Sequence, residues 1–291
     1  MFVALLKTLR PHQWVKNVFV AAPLVFAQKL TDAAFLWREA VAVVAFCLLS
    51  GAVYCFNDVR DVESDRAHPT KRRRPIAAGQ VSERTALVAA FVLAAVSLGT
   101  CVAIRWQLAA FAAIYFAQNI AYSVKLKQIA FLDVGLIASG FLLRVLAGAA
   151  AIDVPASGWL MLCTALVALF VGLGKRAHEL SWADRAGTAH TTRAALLGYR
   201  IPVVRVAMLV LALATLGSYL AYTVDPHTVE LFHTTRLAYS VPFVALGILR
   251  FLFLALWYPK DDPPTEAMLK DPWFLLDLAG ATAVVLYIIY G

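Results

Sequence analysis

The chain has 291 residues, of which 62% are apolar and only 15% charged, with a mean hydropathy of +0.74. That composition excludes a soluble globular domain and places the chain among polytopic membrane proteins. The net charge of +8 does not signal a nucleic-acid partner, because Lys and Arg cluster between apolar runs instead of forming a groove-binding module.

Nine apolar runs predict an all-α protein with nine transmembrane helices, over about 14–28, 35–56, 84–104, 106–123, 130–150, 157–173, 203–224, 236–257 and 273–290. Helices are expected over a barrel because each run is long enough to satisfy its own backbone polar groups. No linker divides the chain, so 1–291 reads as one transmembrane domain whose polar site is formed by the loops 57–84 and 174–205. The first run follows Lys7, Arg10 and Lys16 and is read as a retained span, since no convincing small-residue cleavage site follows it. Most Lys and Arg residues lie in the N-terminus and the loops 57–84, 125–127, 174–205 and 258–271. The opposite loops hold only Lys29, Arg38, Arg105 and Arg236. The basic side is expected to be cytoplasmic, with the N-terminus inside and the C-terminus outside.

The first span opens with Trp14, Lys16 and Asn17; Trp14 alone is an ordinary interfacial anchor. The second ends abruptly in Asn57-Asp58-Val59-Arg60-Asp61-Val62-Glu63-Ser64-Asp65-Arg66, followed by Lys71-Arg72-Arg73-Arg74-Pro75. On a helix Asp58, Asp61 and Asp65 fall within roughly a 60° arc, with Asn57 at its edge and Glu63 opposite. Three carboxylates on one face repel unless a cation lies between them. Hard oxygen ligands suit Mg²⁺, which binds through one or two carboxylates plus substrate phosphates. The basic run beyond offers phosphate oxygens charge-assisted hydrogen bonds. Asn119 and Tyr122 stand near the end of the fourth span, ahead of Lys125 and Lys127, which either snorkel or meet phosphate.

In the fifth span Asp133 and Arg144 are about 16 Å apart along a helix and about 20° around it, with Gly140 and Ala147 near the same stripe. An Arg at that depth is costly unless paired or wet. It either lines a cavity or bonds a structural partner. After the sixth span, Lys175 and Glu179 either pair at i,i+4 or Glu179 supplies a second metal-facing carboxylate; His178 is a hydrogen-bonding neighbour. Thr191 and Thr192 can cap a short helix carrying Arg193 and Arg200, and Lys260-Asp261-Asp262-Pro263-Pro264 reads as a polar turn. Cys47, Cys55, Cys101 and Cys163 lie in predicted spans without CxxC spacing and are read as reduced packing residues.

The pattern Asn57-Asp58-x-x-Asp61-x-x-x-Asp65, followed by Arg74-Pro75, resembles the first aspartate-rich motif of the UbiA-type intramembrane prenyltransferase superfamily. The resemblance implies a helical bundle around a central cavity, open to the cytoplasm and laterally to lipid, that holds Mg²⁺-bound diphosphate. Typical prenyl-diphosphate users carry a second aspartate-rich motif after the sixth span, where this chain has Lys175-Arg176-Ala177-His178-Glu179. With Arg10-Pro11-His12-Gln13-Trp14-Val15-Lys16-Asn17 and His68-Pro69-Thr70-Lys71-Arg72, this is similar to the branch that uses 5-phosphoribosyl 1-diphosphate. The implied reaction is Mg-dependent transfer of 5-phosphoribose to polyprenyl (decaprenyl) phosphate at the plasma membrane, in cell-wall arabinan precursor synthesis. Asp58, Asp61 and Arg144 are its expected catalytic groups, and Asp58, Asp61 and Asp65 its metal ligands. Asn57, Lys71, Arg72, Arg74, Lys125, Lys175 and Glu179 are expected to bind the donor. Lys16, Asn17, Tyr122 and Lys127 are expected to bind the lipid phosphate. A homo-oligomer is compatible with this reading. Two other functions remain open from sequence: a prenyltransferase with an aromatic acceptor, and a secondary transporter of an anionic solute, against which the one-sided charge pattern argues.

Overall fold

The computed structural model describes residues 2–68, 70–185, 194–257 and 263–291, without the side chains of 183–185 and 194. Thr191, Thr192 and Arg193 of the expected capped segment, and Lys260, Asp261 and Asp262 of the expected turn, lie outside them. Every regular element among the described residues is helical. The α-helices are α1 (Phe2–Thr8), α2 (Val18–Phe26), α3 (Ala33–Arg60), α4 (Val62–Ala67), α5 (Glu83–Ile104), α6 (Trp106–Val124), α7 (Leu132–Ala151), α8 (Gly158–Arg185), α9 (Ile201–Val224), α10 (Pro226–Phe232), α11 (Val241–Leu256), α12 (Pro264–Leu269) and α13 (Pro272–Tyr290).

Seven helical segments, those of α3, α5, α7, α8, α9, α11 and α13, are long and apolar enough to cross a bilayer. This is a multi-pass membrane protein. The predicted spans match these helices within a few residues at most ends, and differ in three informative places. The first span is a 3₁₀ helix, Pro11–Asn17, leading into the nine-residue α2 with Pro23 inside it. Together the two rise about 28 Å, close to a bilayer core of about 30 Å. The fourth, α6, has 19 residues, but Gln107, Gln118 and Asn119 keep it outside the most apolar set. The sixth is longer than its apolar run, because α8 continues to Arg185. Arg176 stays inside that helix as the partner of buried acids.

The chain divides into two compact units, Met1–Leu126 with Gly140–Ala156, and Lys127–Ser139 with Ser157–Gly291. In the first, α3 packs on α2, α5 and α6. Small residues set that packing: Ala42, Ala45 and Ala52 of α3 share a core cluster with Ala90 and Ala94 of α5, and Ser97 donates to the Ala45 carbonyl at 2.8 Å. The buried positions of α5 recur every three or four residues, so one stripe of small residues faces protein while Leu87, Phe91 and Val92 are left for lipid. At Gly148 of α7 an added Cβ would stand 1.8 Å from the Val20 carbonyl oxygen and 2.7 Å from Glu39 Oε1. Only glycine lets α2 cross so close. In the second unit α8 packs on α9 and α11 around Phe170, Met208 and Phe251. There Arg250 holds Asp271 in a bidentate pair at 2.8 and 2.7 Å, and α13 has no buried residue.

Candidate active site

The site grows from the cytoplasm-facing half expected for α3. Cys47, Ser50, Tyr54 and Asp58 recur at three- and four-residue spacing and fall within about 80° of one another, forming a polar stripe. The helix breaks at Asp61 (φ −97°, ψ 6°) and resumes as α4, so the acidic motif is a helix, a joint and a short helix instead of one continuous turn sequence. Asp58 and Asp65 are each 2% exposed. Asp61 sits half-buried at the joint, with Asn57 half-buried behind it, and Glu63 is exposed. Glu63 is exposed as expected, but the single arc expected to carry Asp58, Asp61 and Asp65 is interrupted at Asp61.

Arg74 joins the two buried acids. Its Nη1 lies 3.1 Å from Asp58 Oδ1 and 2.6 Å from Asp65 Oδ2. What brings it there is local. Val62, Ile76, Val81 and Ala86 form a small core with Leu5 and Val59, which folds the basic loop back over α4. A 3₁₀ helix, Lys71–Arg73, precedes Arg74. His68 Nδ1 caps it, accepting from the Thr70 and Lys71 amides at 3.3 and 3.4 Å. Burial and then the Lys71 cation hold the His68 pKa below its ordinary value. Lys71 and Arg72 are exposed beside this turn.

Arg10, not among the residues expected from sequence, also pairs with Asp58. Its guanidinium lies over the Tyr54 ring at 5.0 Å. Arg10 adopts φ 51°, ψ 62°, a left-handed conformation that costs a non-glycine residue about 1–2 kcal/mol. No local signal marked Arg10: the residue before a proline is ordinarily steered to extended backbone, and the acid it meets is 48 residues away.

This arrangement fits a divalent cation. Two buried carboxylates converge on one cationic group, the guanidinium of Arg74, whose side chain is 27% exposed. Among the described residues no three His, Cys, Asp or Glu side chains gather at metal-binding distance. Asp58 and Asp65 form a carboxylate pair, a donor set compatible with a metal that takes its remaining ligands from phosphate and water.

A second polar cluster lies deeper in the same unit. Arg144, 6% exposed, donates from Nε to Asn17 Oδ1 at 2.8 Å, from Nη1 to the Gly140 carbonyl at 3.0 Å and from Nη2 to Tyr115 Oη at 2.7 Å. Tyr115 and Phe141 cover its charge with ring faces at 4.6 and 5.4 Å. Ser50 approaches Asn17 Oδ1 and Tyr115 Oη at 3.3 and 3.4 Å, and Asn17 Nδ2 meets Cys47 Sγ at 3.3 Å. Asn17 is thus fully buried and engaged in orienting Arg144. Lys16 and Tyr122 are half-buried, and Lys125 is exposed.

In the second unit the expected common face of Asp133 and Arg144 does not unite them. Asp133 pairs instead with Arg176, Nε to Oδ2 2.7 Å, with both side chains fully buried. Tyr199 donates to Asp133 Oδ1 at 2.6 Å and accepts from the Phe131 amide at 2.7 Å. Burial, followed by the Asp133 carboxylate, pushes the Tyr199 phenol pKa up. Glu179 pairs with Arg176 one helical turn away; Lys175 and Lys127 are half-buried. All four cysteines are free thiols.

Residues 17–290 match the model of the UbiA prenyltransferase family. Over the whole chain the sequence is 35% identical to the decaprenyl-phosphate phosphoribosyltransferase of Mycobacterium tuberculosis, covering 96% of that protein. The protein of the same name from Mycolicibacterium smegmatis is 46% identical over 63% of this chain, a match that spans 59% of the relative's length. A third, from Corynebacterium glutamicum, is 39% identical over 76% of this chain and 67% of its own. Among solved structures, a UbiA homolog from Archaeoglobus fulgidus bound to GPP and Mg²⁺ superposes with a TM-score of 0.74 at 17% identity, covering 99% of this chain and 100% of that one. An apo homolog from Aeropyrum pernix gives 0.65 at 17%, covering 96% of each. At that identity the likeness is one of fold.

Proposed function

We propose, from the premise that the chain belongs to the UbiA prenyltransferase family, that it transfers 5-phosphoribose from 5-phosphoribosyl 1-diphosphate to polyprenyl phosphate. The products are polyprenylphosphoryl-5-phosphoribose and diphosphate, with decaprenyl phosphate the natural lipid and arabinan precursor synthesis the setting. The observation that carries this reading over a prenyl diphosphate donor is the Asp133–Arg176–Glu179 cluster. Where typical prenyl-diphosphate users present a second acidic motif, this chain has an arginine, and the neighbouring acids are spent neutralising it. One carboxylate pair remains for metal, and the surrounding cations suit a donor with a second anionic end. The full-length similarity to relatives named for this phosphoribosyl transfer supports it.

Asp58 and Asp65 would hold Mg²⁺, with Asp61 and Asn57 beside them at the joint. The ion, when bound, neutralises diphosphate charge and stabilises the leaving group. Arg74, with the exposed Lys71 and Arg72 beside it, would supply cations to the phosphate oxygens. Arg10, laid over the Tyr54 ring, pairs with Asp58 and would orient it. A lipid phosphate oxygen bonds to the anomeric carbon as the carbon–diphosphate bond breaks, its electron pair leaving with diphosphate, and configuration inverts. The nucleophile is already anionic, so the protein need not remove a proton. In this reading the acidic motif and the N-terminus are cytoplasmic, the donor enters from the cytoplasm, and the lipid enters sideways from the plasma membrane.

Purified protein in lipid nanodiscs with Mg²⁺ is expected to move radiolabelled phosphoribose onto polyprenyl phosphate and release diphosphate, and not to prenylate 4-hydroxybenzoate. Prenylation of that acceptor, without turnover of the phosphoribosyl donor, would overturn the reading.

A further inference from the structure

We propose that Arg144 is the seat of the acceptor's phosphate: a buried subsite for a lipid phosphate monoester, set on the membrane side of the Asp58–Asp65 pair. The inference rests on the transfer proposed above and decides where in the fold its second substrate is held.

The first observation is a buried cation with ring faces and neutral hydrogen-bond partners around it but no anionic partner among the described residues. Arg144 is 6% exposed, yet among the described residues every hydrogen-bond partner it has is neutral: an amide oxygen, a backbone carbonyl and a phenol. A guanidinium has five N–H groups, and these bonds use one on each nitrogen, which leaves one N–H on Nη1 and one on Nη2. A cation at such depth costs several kcal/mol unless an anion or water joins it. The other buried acid of this unit outside the Asp58 pair, Glu39, does not serve. It lies against Gly148, one turn beyond Arg144, while Arg144 reaches the other way, to Gly140. Such a group is built to receive an anion, and a planar fork suits phosphate.

The second observation is placement. Ser50, bonded into the Arg144 cluster, stands eight residues before Asp58 on the same stripe of α3, about 12 Å away along the axis. Tyr54 lies between them, with Arg10 over its ring. One cation position, at Asp58, therefore lies toward the end of the helix, and a second, at Arg144, toward its middle. A separation of about 12 Å along the axis is of the order of the length spanned by a diphosphate, an anomeric carbon and an attacking phosphate in line, as displacement with inversion requires.

The third observation chooses between the two phosphate monoesters of the reaction, the lipid's and the donor's 5-phosphate. Ser50 is ten residues, about 15 Å, inside the Arg60 end of α3, and the surrounding surface is Phe141, Phe19 and Phe46. A lipid phosphate brings a hydrocarbon chain suited to that depth. The donor's 5-phosphate finds the exposed Lys71 and Arg72 at the rim instead.

The test measures binding without turnover. Wild type, Arg144→Gln, Arg144→Lys and Tyr115→Phe in phosphatidylcholine nanodiscs are titrated separately with polyprenyl phosphate, with the unphosphorylated polyprenol, and with 5-phosphoribosyl 1-diphosphate plus Mg²⁺. Arg144→Gln is expected to weaken polyprenyl phosphate by about tenfold to a hundredfold, with polyprenol and the donor each within about threefold. Tyr115→Phe, which loosens the fork, is expected to fall between. Should Arg144→Gln fail to fold, Arg144→Lys carries the same reading, because it keeps the charge and loses the fork. Selective loss of donor affinity would reassign Arg144 to the ribose 5-phosphate and overturn the proposal. Unchanged binding of both ligands, or equal loss of both with a lowered melting temperature, would make Arg144 a structural hub and overturn it as well. Failure of the wild type to bind either substrate would instead reject the transfer reaction.

Discussion

Replacing Arg74 with Gln separates a metal site from an ordinary ion-pair network. Arg74 Nη1 bridges Asp58 and Asp65 at 3.1 and 2.6 Å. Hydrogen bonds to charged groups contribute about 1.5–3 kcal/mol each; the 27% exposure of the Arg74 side chain places these near the lower end. Asp58 keeps Arg10, but Asp65 is left without a cation among the described residues. The variant should therefore lose about 2–3 kcal/mol of unfolding free energy in metal-free buffer. The same change vacates the position that Mg²⁺ must otherwise contest, so Mg²⁺ should bind the variant more tightly. At a concentration 100-fold above its dissociation constant the ion restores about 2.7 kcal/mol. Unfolding in mixed detergent micelles, with EDTA and across a Mg²⁺ titration without substrate, reads both effects. Wild type should respond weakly to Mg²⁺ and Arg74→Gln strongly. If the variant unfolds like wild type in EDTA, or if Mg²⁺ shifts the two equally, the carboxylate pair is not a shared cation site.

Asp58→Asn and Asp65→Asn are each expected to cut turnover by about a hundredfold or more, while the exposed Glu63→Gln stays within about threefold; equal damage from Glu63→Gln in steady-state kinetics would contradict the facial arrangement. Arg176→Met should destabilise by about 3–5 kcal/mol, as breaking a fully buried pair does. A double variant with Asp133→Asn should cost less than the two losses added, and strict additivity in unfolding measurements would refute the pairing. For His68 the folded pKa is lowered, so its cap on the Lys71–Arg73 turn is complete above the ordinary value of 6.5 and weakens as pH falls below it through the folded value. Exchange protection at the Thr70 and Lys71 amides should then drop as the pH is lowered below 6.5, and protection that stays constant down to acid unfolding would refute the cap. A reporter fused after Gly291 should be extracytoplasmic and one inserted in the 174–205 loop cytoplasmic; the same side for both would reject the topology.

The sequence by itself determined where the helices run and where acids meet cations along the chain, because hydrophobic runs and helical arcs are properties of near neighbours. The helical period placed Asp58 on the buried stripe of α3, but the break at Asp61 means that Asp65 and Glu63 took their buried and exposed sides on a separate short helix; α3, α5, α9 and α13 lie within a few residues of their apolar runs. Tertiary structure decided which charges meet. Arg10 reaches Asp58 across 48 residues only because the turn at Pro11 lays it on Tyr54. Arg74 reaches Asp65 because the Ile76 cluster folds its loop back. Asp133 and Arg144 share a face of one helix, yet each is claimed by a different helix pair, Arg176 with Tyr199 in one case and Asn17 with Tyr115 in the other. A buried ion pair is selected by what is desolvated beside it, and desolvation depends on packing between segments far apart in the chain. Periodicity locates a charge on its own helix; the neighbour that neutralises it, or leaves it waiting for a substrate, comes from the fold.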